Sequence, residues 1–226
     1  MTSAALTSFL TALSEVNALK AAGSVLSTSP TEAARVRATG RAQTVLLSSH
    51  FERYFYAVNE EAVGFINGKS LFSNLIPQSI RLLHSKNPIE EIAGMNWENR
   101  SDKMFEFVAS DAWLWGMNVT GNLAHDRLLA WMSAPKPKNL VRYYRYWGIQ
   151  DIFTAITRTP QTRNRIWLGV QELVDRRNAI AHGDFTAQAT GVDVKRYANS
   201  AELFCSRADK QLSRALGRIA ASAMPW

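Results

Sequence analysis

The segment Leu173–Phe185, LVDRRNAIAHGDF, joins an apolar helical stripe to a polar end that a glycine closes. Upstream of it, Thr159 and Pro160 are typical of a helix start, because proline is favoured at the first helical position. Gly183 is typical of a helix end, because glycine adopts the left-handed conformation without strain. We therefore predict a helix that runs from Pro160 to His182.

Arg177 lies near the centre of the apolar stripe of this predicted helix, at about 100° of rotation per residue. The apolar residues of the same sector are Ile166, Val170, Leu173, Val174, Ile180 and Ala181. A permanent charge among apolar side chains is costly unless it is paired or faces a polar cleft. Either an internal salt bridge or a functional cleft would therefore explain Arg177.

Asn178 and His182 lie on another side of the helix, together with Asp175. On a straight helix, Arg177 and His182 are about 140° apart. They converge only if the arginine curls round, the last turn deviates, or a second subunit completes the site. In the alternative without function, His182 interacts with the negative helix end. Asp175 then pairs with Arg176 or another basic side chain.

The rest of the chain is also helical in pattern, with no alternating strand pattern and no internal repeat. A stripe with helical spacing runs through residues 31–67, where Gly40 leaves open one bent helix or two shorter ones. Before a last long amphipathic helix, Thr190 and Asp193 predict a capping box. The sequence also predicts separate helical segments before and after Pro88.

These elements predict an all-α fold, a helical bundle with extra helices inserted in the middle of the chain. We expect one domain over residues 1–226, with residues 31–69 and 139–221 as the bundle core and residues 70–138 as a helical elaboration. Five tryptophans are expected to form a satellite core in and beside that elaboration: Trp97, Trp113, Trp115, Trp131 and Trp147.

The composition restricts the class of protein. The chain has 226 residues, 46% of them hydrophobic, and a net charge of +7, which attracts polyanions such as nucleic acid. Its single cysteine, Cys205, and its scattered histidines show no metal-ligand spacing, so we predict neither metal nor cofactor. No apolar run approaches the roughly 20 residues of a membrane span, and the N-terminus lacks a signal-peptide pattern. We expect a cytoplasmic protein without a membrane partner.

The pattern Arg177-Asn178-x-x-x-His182 resembles the R-x4-6-H signature of the HEPN superfamily, at the end of a bundle helix that another long helix follows. The wider sequence is similar to the RiboL-PSP-type HEPN proteins. In these, an earlier helix resembles SSHFERYFYAVNEEAV at residues 48–63, and a middle segment resembles NLVRYYRYWGIQDIF at residues 139–153. The resemblance covers roughly residues 31–221.

This resemblance implies a metal-independent endoribonuclease, commonly dimeric, with a role in toxin–antitoxin systems or phage defence. In such a protein, Arg177 would stabilise the charge on the phosphorane, and His182 would be the general base or acid. Asn178 would orient the imidazole or bind a phosphate oxygen. The expected partners are RNA, a second copy that completes a composite site, and an antitoxin or sensor protein.

Four further residues are candidate accessory residues: Glu52, His50, Asp175 and Asp184. Glu52 lies off the apolar stripe of its helix and could pair with Arg177, whereas His50 lies at the border of that stripe and could simply pack. Some HEPN toxins carry, two residues after the histidine, a tyrosine that a nucleotidyltransferase modifies. Asp184 occupies that position here, which argues against such regulation, and it could equally be a turn residue.

The alternative function is a non-catalytic HEPN module that binds nucleic acid, a nucleotide or a partner protein. The basic composition supports this alternative as well as it supports a nuclease. Retention of Arg177, Asn178 and His182 together favours the nuclease.

Overall fold

The computed structural model describes residues 1–23 and 30–226, which form nine α-helices and no strand. The helices are α1 (Ala4–Gly23), α2 (Pro30–Gly68), α3 (Gln78–Gly94), α4 (Arg100–Asp111), α5 (His125–Leu129), α6 (Pro137–Tyr146), α7 (Ile152–Ile156), α8 (Pro160–Ala181) and α9 (Gly191–Ile219). The predicted all-α bundle is confirmed. Within the described ranges, no helix combines the length and apolar character that a membrane crossing requires.

The core of the bundle is built around α2, which packs against α1 on one side and against α8 and α9 on the other. Aromatic rings fill its centre, where Phe51 and Phe55 of α2 contact Phe204 of α9. Leu6 and Phe9 of α1 are buried in the same apolar cluster. The bundle therefore includes α1, which the domain prediction had left outside the core.

Gly40 does not break α2, which is one continuous helix. A Cβ atom at this position would collide with the carbonyl oxygen of Ala189, in the segment that connects α8 to α9. The glycine therefore lets this connection approach the backbone of α2 closely. Its cost to helix stability is offset by a contact that the helix pattern alone does not reveal.

The middle of the chain is helical, but its boundaries differ from the predicted ones. Helix α3 continues through Pro88 instead of forming two segments. Trp147 is buried, and Trp113 and Trp131 pack against the core. Trp97 remains 78% exposed, so the satellite core is smaller than expected.

A buried polar cluster joins three elements of this middle region. His84 Nδ1 lies 3.1 Å from Asp111 Oδ1, and Arg127 Nη1 donates to the same carboxylate oxygen at 2.5 Å. The backbone N–H of Ala124 donates to His84 Nε2 at 2.9 Å, so this nitrogen carries no proton. Burial lowers the pKa of His84, and the charge of Arg127 lowers it further. The imidazole therefore acts as a neutral link between helices.

Candidate functional site

The end of α8 has the geometry that its sequence predicts. Gly183 has a φ of 81°, in the left-handed region. The N–H of Gly183 donates to the carbonyl of Ile180 at 3.1 Å, and the N–H of Asp184 donates to the carbonyl of Ala179 at 3.0 Å. This pair of bonds is a Schellman motif. It fixes the backbone of His182, the last residue before the glycine, at a defined position on the surface.

Arg177 lies at the edge of the core, and its side chain is 36% exposed. The apolar stripe weakens in this last turn, where Ile180 is half-buried and Ala181 is exposed. The guanidinium Nη1 donates to Asn178 Oδ1 at 3.1 Å, and Nη2 lies 3.6 Å from Glu52 Oε2. The arginine is thus paired, as an internal salt bridge would require, and it also faces solvent.

Within one chain, two of the three ways in which Arg177 and His182 could converge can be compared: a deviation of the last turn and a bend of the arginine side chain. The last turn of α8 does not deviate, since the N–H of His182 donates to the carbonyl of Asn178 at 2.9 Å, as in a regular helix. Instead, the arginine side chain bends toward Asn178, which lies on the same side of the helix as His182. The imidazole of His182 is exposed. Both functional groups are therefore accessible from solvent at one end of α8.

Glu52 and His50 have different surroundings, although only two positions separate them on α2. Glu52 faces α8 and pairs with Arg177. His50 faces α1, where its Nε2 lies 3.1 Å from Glu15 Oε2. Positions two apart on a helix point to different sides. The structure therefore brings Glu52 to the arginine and places His50 at the packing contact between α1 and α2.

Asp175 connects α8 to the segment that precedes α6. Its Oδ1 lies 2.8 Å from Lys136 Nζ, and its Oδ2 accepts a hydrogen bond from Gln171 at 2.6 Å. Partial burial alone would raise the pKa of Asp175, but the hydrogen bonds from Lys136 and Gln171 lower it. The side chain is a surface link one turn before Asn178, with its charge already neutralised by Lys136.

Asp184 orders the turn that follows α8. Its Oδ1 accepts hydrogen bonds from the N–H and the hydroxyl of Thr186, at 2.8 and 2.6 Å, and these bonds lower the pKa of the carboxyl group. Arg41 of α2 binds the same turn, since its Nη1 donates to the carbonyl of Asp184 at 2.8 Å and to that of Ala187 at 3.1 Å. Asp184 is therefore a turn residue beside the site.

Sequence reasoning missed Arg41, although the helix pattern contained a signal for it. Arg41 and Glu52 are 11 residues apart, close to three full turns, so both lie on the face of α2 that meets α8 and its C-terminal turn. Sequence reasoning also missed Lys136. No local pattern predicts its contact with Asp175, because that contact depends on the tertiary fold.

The motif lies on an open surface. Pockets that are partly open to solvent occur elsewhere among the described residues, one of about 510 Å³ between α8 and α9 and one of about 590 Å³ among α1, α2 and α9. Neither is lined by Arg177 or His182. In the described part of the chain, no group of three or more His, Cys, Asp or Glu side chains is placed to hold a metal ion. An open, partly basic surface suits a polymer or a second protein chain better than a small enclosed ligand.

An all-α bundle with an Arg-Asn-x-x-x-His pattern at the glycine-capped end of its penultimate helix defines a HEPN-type domain protein. The chain belongs to the RiboL-PSP-HEPN family, whose family model matches residues 8–214. This match begins within α1, earlier than the resemblance predicted from the sequence. No curated protein and no solved structure matches the chain. Membership in the HEPN family suggests a ribonuclease or a nucleotide-binding role.

Proposed function

We propose that this protein is a metal-independent endoribonuclease whose active site lies at the C-terminal end of α8. The observation that supports the proposal is the half-exposed guanidinium of Arg177, held by Glu52 and Asn178, at the same end of α8 as the exposed side chain of His182. A fixed positive charge and a group that moves protons near neutral pH are what cleavage of an RNA phosphodiester requires. The net charge of +7 favours a polyanionic substrate.

In the proposed reaction, the 2′-oxygen of one ribose attacks the adjacent phosphorus while the bond from phosphorus to the 5′-oxygen breaks. The products are a 2′,3′-cyclic phosphate and a 5′-hydroxyl, and no water is consumed. One proton leaves the 2′-hydroxyl and one is delivered to the 5′-oxygen. An imidazole of His182 accepts the first proton, and an imidazolium supplies the second.

Arg177 stabilises the extra negative charge on the phosphorane. Its 3.6 Å separation from Glu52 is longer than a charge-assisted hydrogen bond, so the carboxylate holds the guanidinium in place without saturating it. Asn178 accepts a hydrogen bond from Arg177 through Oδ1, and this bond does not use its amide N–H groups. We therefore assign Asn178 two tasks: it positions the arginine, and its amide binds a phosphate oxygen.

We further propose that two copies of the chain form a composite site. A two-fold axis near the end of α8 would bring two imidazoles to one phosphate, so that one accepts a proton while the other donates. The expected result is that cleavage per chain falls on dilution, in step with dissociation of the dimer measured by light scattering. A monomer with constant activity per chain would contradict the composite site.

The biological role that this activity favours is that of a cytoplasmic toxin or anti-phage effector, restrained by an antitoxin or activated by a sensor protein. Unrestrained cleavage of cellular RNA slows growth. Expression of the wild-type chain should therefore depress growth, and expression of the His182→Ala variant at the same level should not.

The direct test is cleavage of a labelled RNA by the purified protein in the presence of EDTA. We expect cleavage to persist, to leave 2′,3′-cyclic phosphate ends, and to disappear in His182→Ala. His125→Ala is the matched control, because His125 is another exposed histidine, at the start of α5, outside the motif. If the wild-type protein binds RNA but leaves it intact, the non-catalytic module is the correct function.

A further inference from the structure

Phe185 is exposed in a way that folding does not explain. Its side chain is 87% exposed, although it lies only three residues after His182. An aromatic ring in water contributes nothing to the core, and the turn that carries it is held by other groups. The ring is therefore available for a ligand.

The turn that presents Phe185 is anchored on both sides of the ring. The Schellman motif fixes Gly183 and Asp184, and the carboxylate of Asp184 binds Thr186. Farther along, Ala189 contacts α2 at Gly40, where no side chain would fit. Because these bonds involve the backbone and Asp184, the position of Phe185 does not depend on the ring itself.

Arg41 adds a positive charge beside the ring. Its guanidinium lies 6.0 Å from the ring centroid of Phe185, within the range of a cation–π interaction. Its Nη1 donates to the carbonyls of Asp184 and Ala187, which fixes the arginine to the same turn. The Nε and Nη2 groups take no part in these two bonds and can meet an anion. An exposed aromatic face and a fixed guanidinium thus lie side by side.

We propose that Phe185 and Arg41 form a subsite for single-stranded RNA, in which an unpaired base stacks on the ring and a neighbouring phosphate meets the guanidinium. Aromatic rings flanked by basic side chains bind single strands in this way, largely without sequence preference. In a duplex the base faces are already stacked, so a paired strand cannot use the ring. The inference rests on the proposed function, because it names the substrate class of that site.

The test measures binding without cleavage. The probe is a fluorescein-labelled single-stranded RNA with a 2′-O-methyl group on every ribose, which removes the attacking hydroxyl. Fluorescence anisotropy gives its dissociation constant for the wild-type protein and for Phe185→Leu. We expect binding about tenfold weaker in Phe185→Leu, within the range for loss of one stacked base. Phe185→Trp, which keeps an aromatic face, should bind as tightly as the wild type.

Three controls separate stacking from other effects. Phe105 on α4 is also strongly exposed, at 76%, but lies outside the site, so Phe105→Leu should bind the RNA normally. The same 2′-O-methyl RNA annealed to its complement should bind equally well to the wild type and to Phe185→Leu. Thermal melting of Phe185→Leu should match that of the wild type, because the ring is not part of the core.

Two results would overturn the inference. The first is equal affinity of wild type and Phe185→Leu for the single strand. The second is a loss of dimer in Phe185→Leu, seen by light scattering, which would assign the ring to a protein–protein contact. The proposed function fails separately: RNA that binds through Phe185 but is never cut contradicts the nuclease and leaves the subsite intact. Normal binding and cutting by Phe185→Leu contradicts only the subsite.

Discussion

The molecule contains two clusters of similar chemistry, one in the middle region and one at the end of α8. In the first, His84 and Arg127 both contact the carboxylate of Asp111, and His84 and Asp111 are buried. In the second, Arg177 is half-exposed and loosely paired with Glu52, and His182 is exposed. The same residue types therefore form a structural link in one place and an open polar surface in the other.

The difference lies in the hydrogen bonds that each histidine has already made. The Nε2 of His84 accepts a backbone N–H, and its Nδ1 faces a carboxylate, so neither nitrogen can serve a substrate. His182 presents its ring to solvent at a position fixed by backbone bonds alone. Residue identity thus indicates what chemistry is possible, and accessibility indicates where it can occur.

Removal of two adjacent arginines, one at a time, should show the largest effect at the end of α8. We expect Arg177→Ala to lower kcat for RNA cleavage about 100- to 1,000-fold, because it removes a preorganised donor to the phosphorane. Arg176→Ala should have little effect on kcat. The charge of Arg176 helps to lower the pKa of Asp193 at the start of α9. Both variants should melt within a few degrees of the wild type. Equal losses in the two variants would contradict the assignment of the site.

In the buried cluster, a substitution should lower stability and leave RNA cleavage unchanged. Asp111→Ala leaves His84 and Arg127 without their carboxylate, and we expect a loss of about 3 kcal/mol in the free energy of unfolding, measured in urea. Cleavage per folded molecule should be unchanged. Asp102→Ala, at an exposed position in the first turn of the same helix, is the control and should lose no more than about 1 kcal/mol. A catalytic defect in fully folded Asp111→Ala would show that the two clusters are coupled.

Acid should weaken the buried cluster through His84. Because burial lowers the pKa of this imidazole in the folded protein, the unfolded chain binds the proton more readily. The contribution of His84 to the free energy of unfolding is fully present above the ordinary histidine pKa of about 6.5. It is lost as the pH falls from there toward the lowered pKa of His84 in the folded protein. Titration of His84 should change the free energy of unfolding by no more than about 1.4 kcal/mol per pH unit. Urea midpoints at successive pH values measure it, and a His84→Gln variant with the same slope would rule His84 out as the source.

The smallest expected effect concerns Glu52. Glu52→Gln removes the negative charge that faces Arg177 but keeps the shape of the side chain. The guanidinium is then less restrained, and its positive charge is no longer offset by a carboxylate. We expect kcat to fall about fivefold, in line with about 1 kcal/mol for a partly exposed pair, while KM for RNA decreases. Glu60→Gln, at an exposed position on the same helix, should leave both parameters unchanged. A rise in KM would instead place Glu52 in contact with the substrate.

The features that follow from neighbouring residues could be predicted from the sequence. The start of α8 at Pro160, its end at Gly183 and the capping box of α9 depend on local chemistry and are confirmed. Periodicity leaves open whether Arg177 forms an internal salt bridge or faces a functional cleft, because it gives the face of a residue but not its partner, here Glu52.

The features that depend on distant segments could not be predicted. Gly40 looked like a weak point in a helix, and only its contact with Ala189 shows why glycine is needed there. His84 and Asp111 are separated by the second half of α3, the connection that follows it and most of α4, and no spacing rule connects them. Pro88 lies inside α3, although proline usually ends a helix, because tertiary packing can outweigh local preference.

The unbroken α2 supports two parts of the proposed RNA-binding surface at once. Arg41 binds the turn that carries Phe185, and Glu52 holds Arg177, so a single rigid helix sets the spacing between these two points. Their separation of 11 residues corresponds to about 16 Å along the helix axis. Helix α2 therefore keeps the backbone positions of Arg41 and Glu52 at a fixed distance. An RNA that contacted both Arg177 and the ring would therefore be held at two places whose supports lie on one helix.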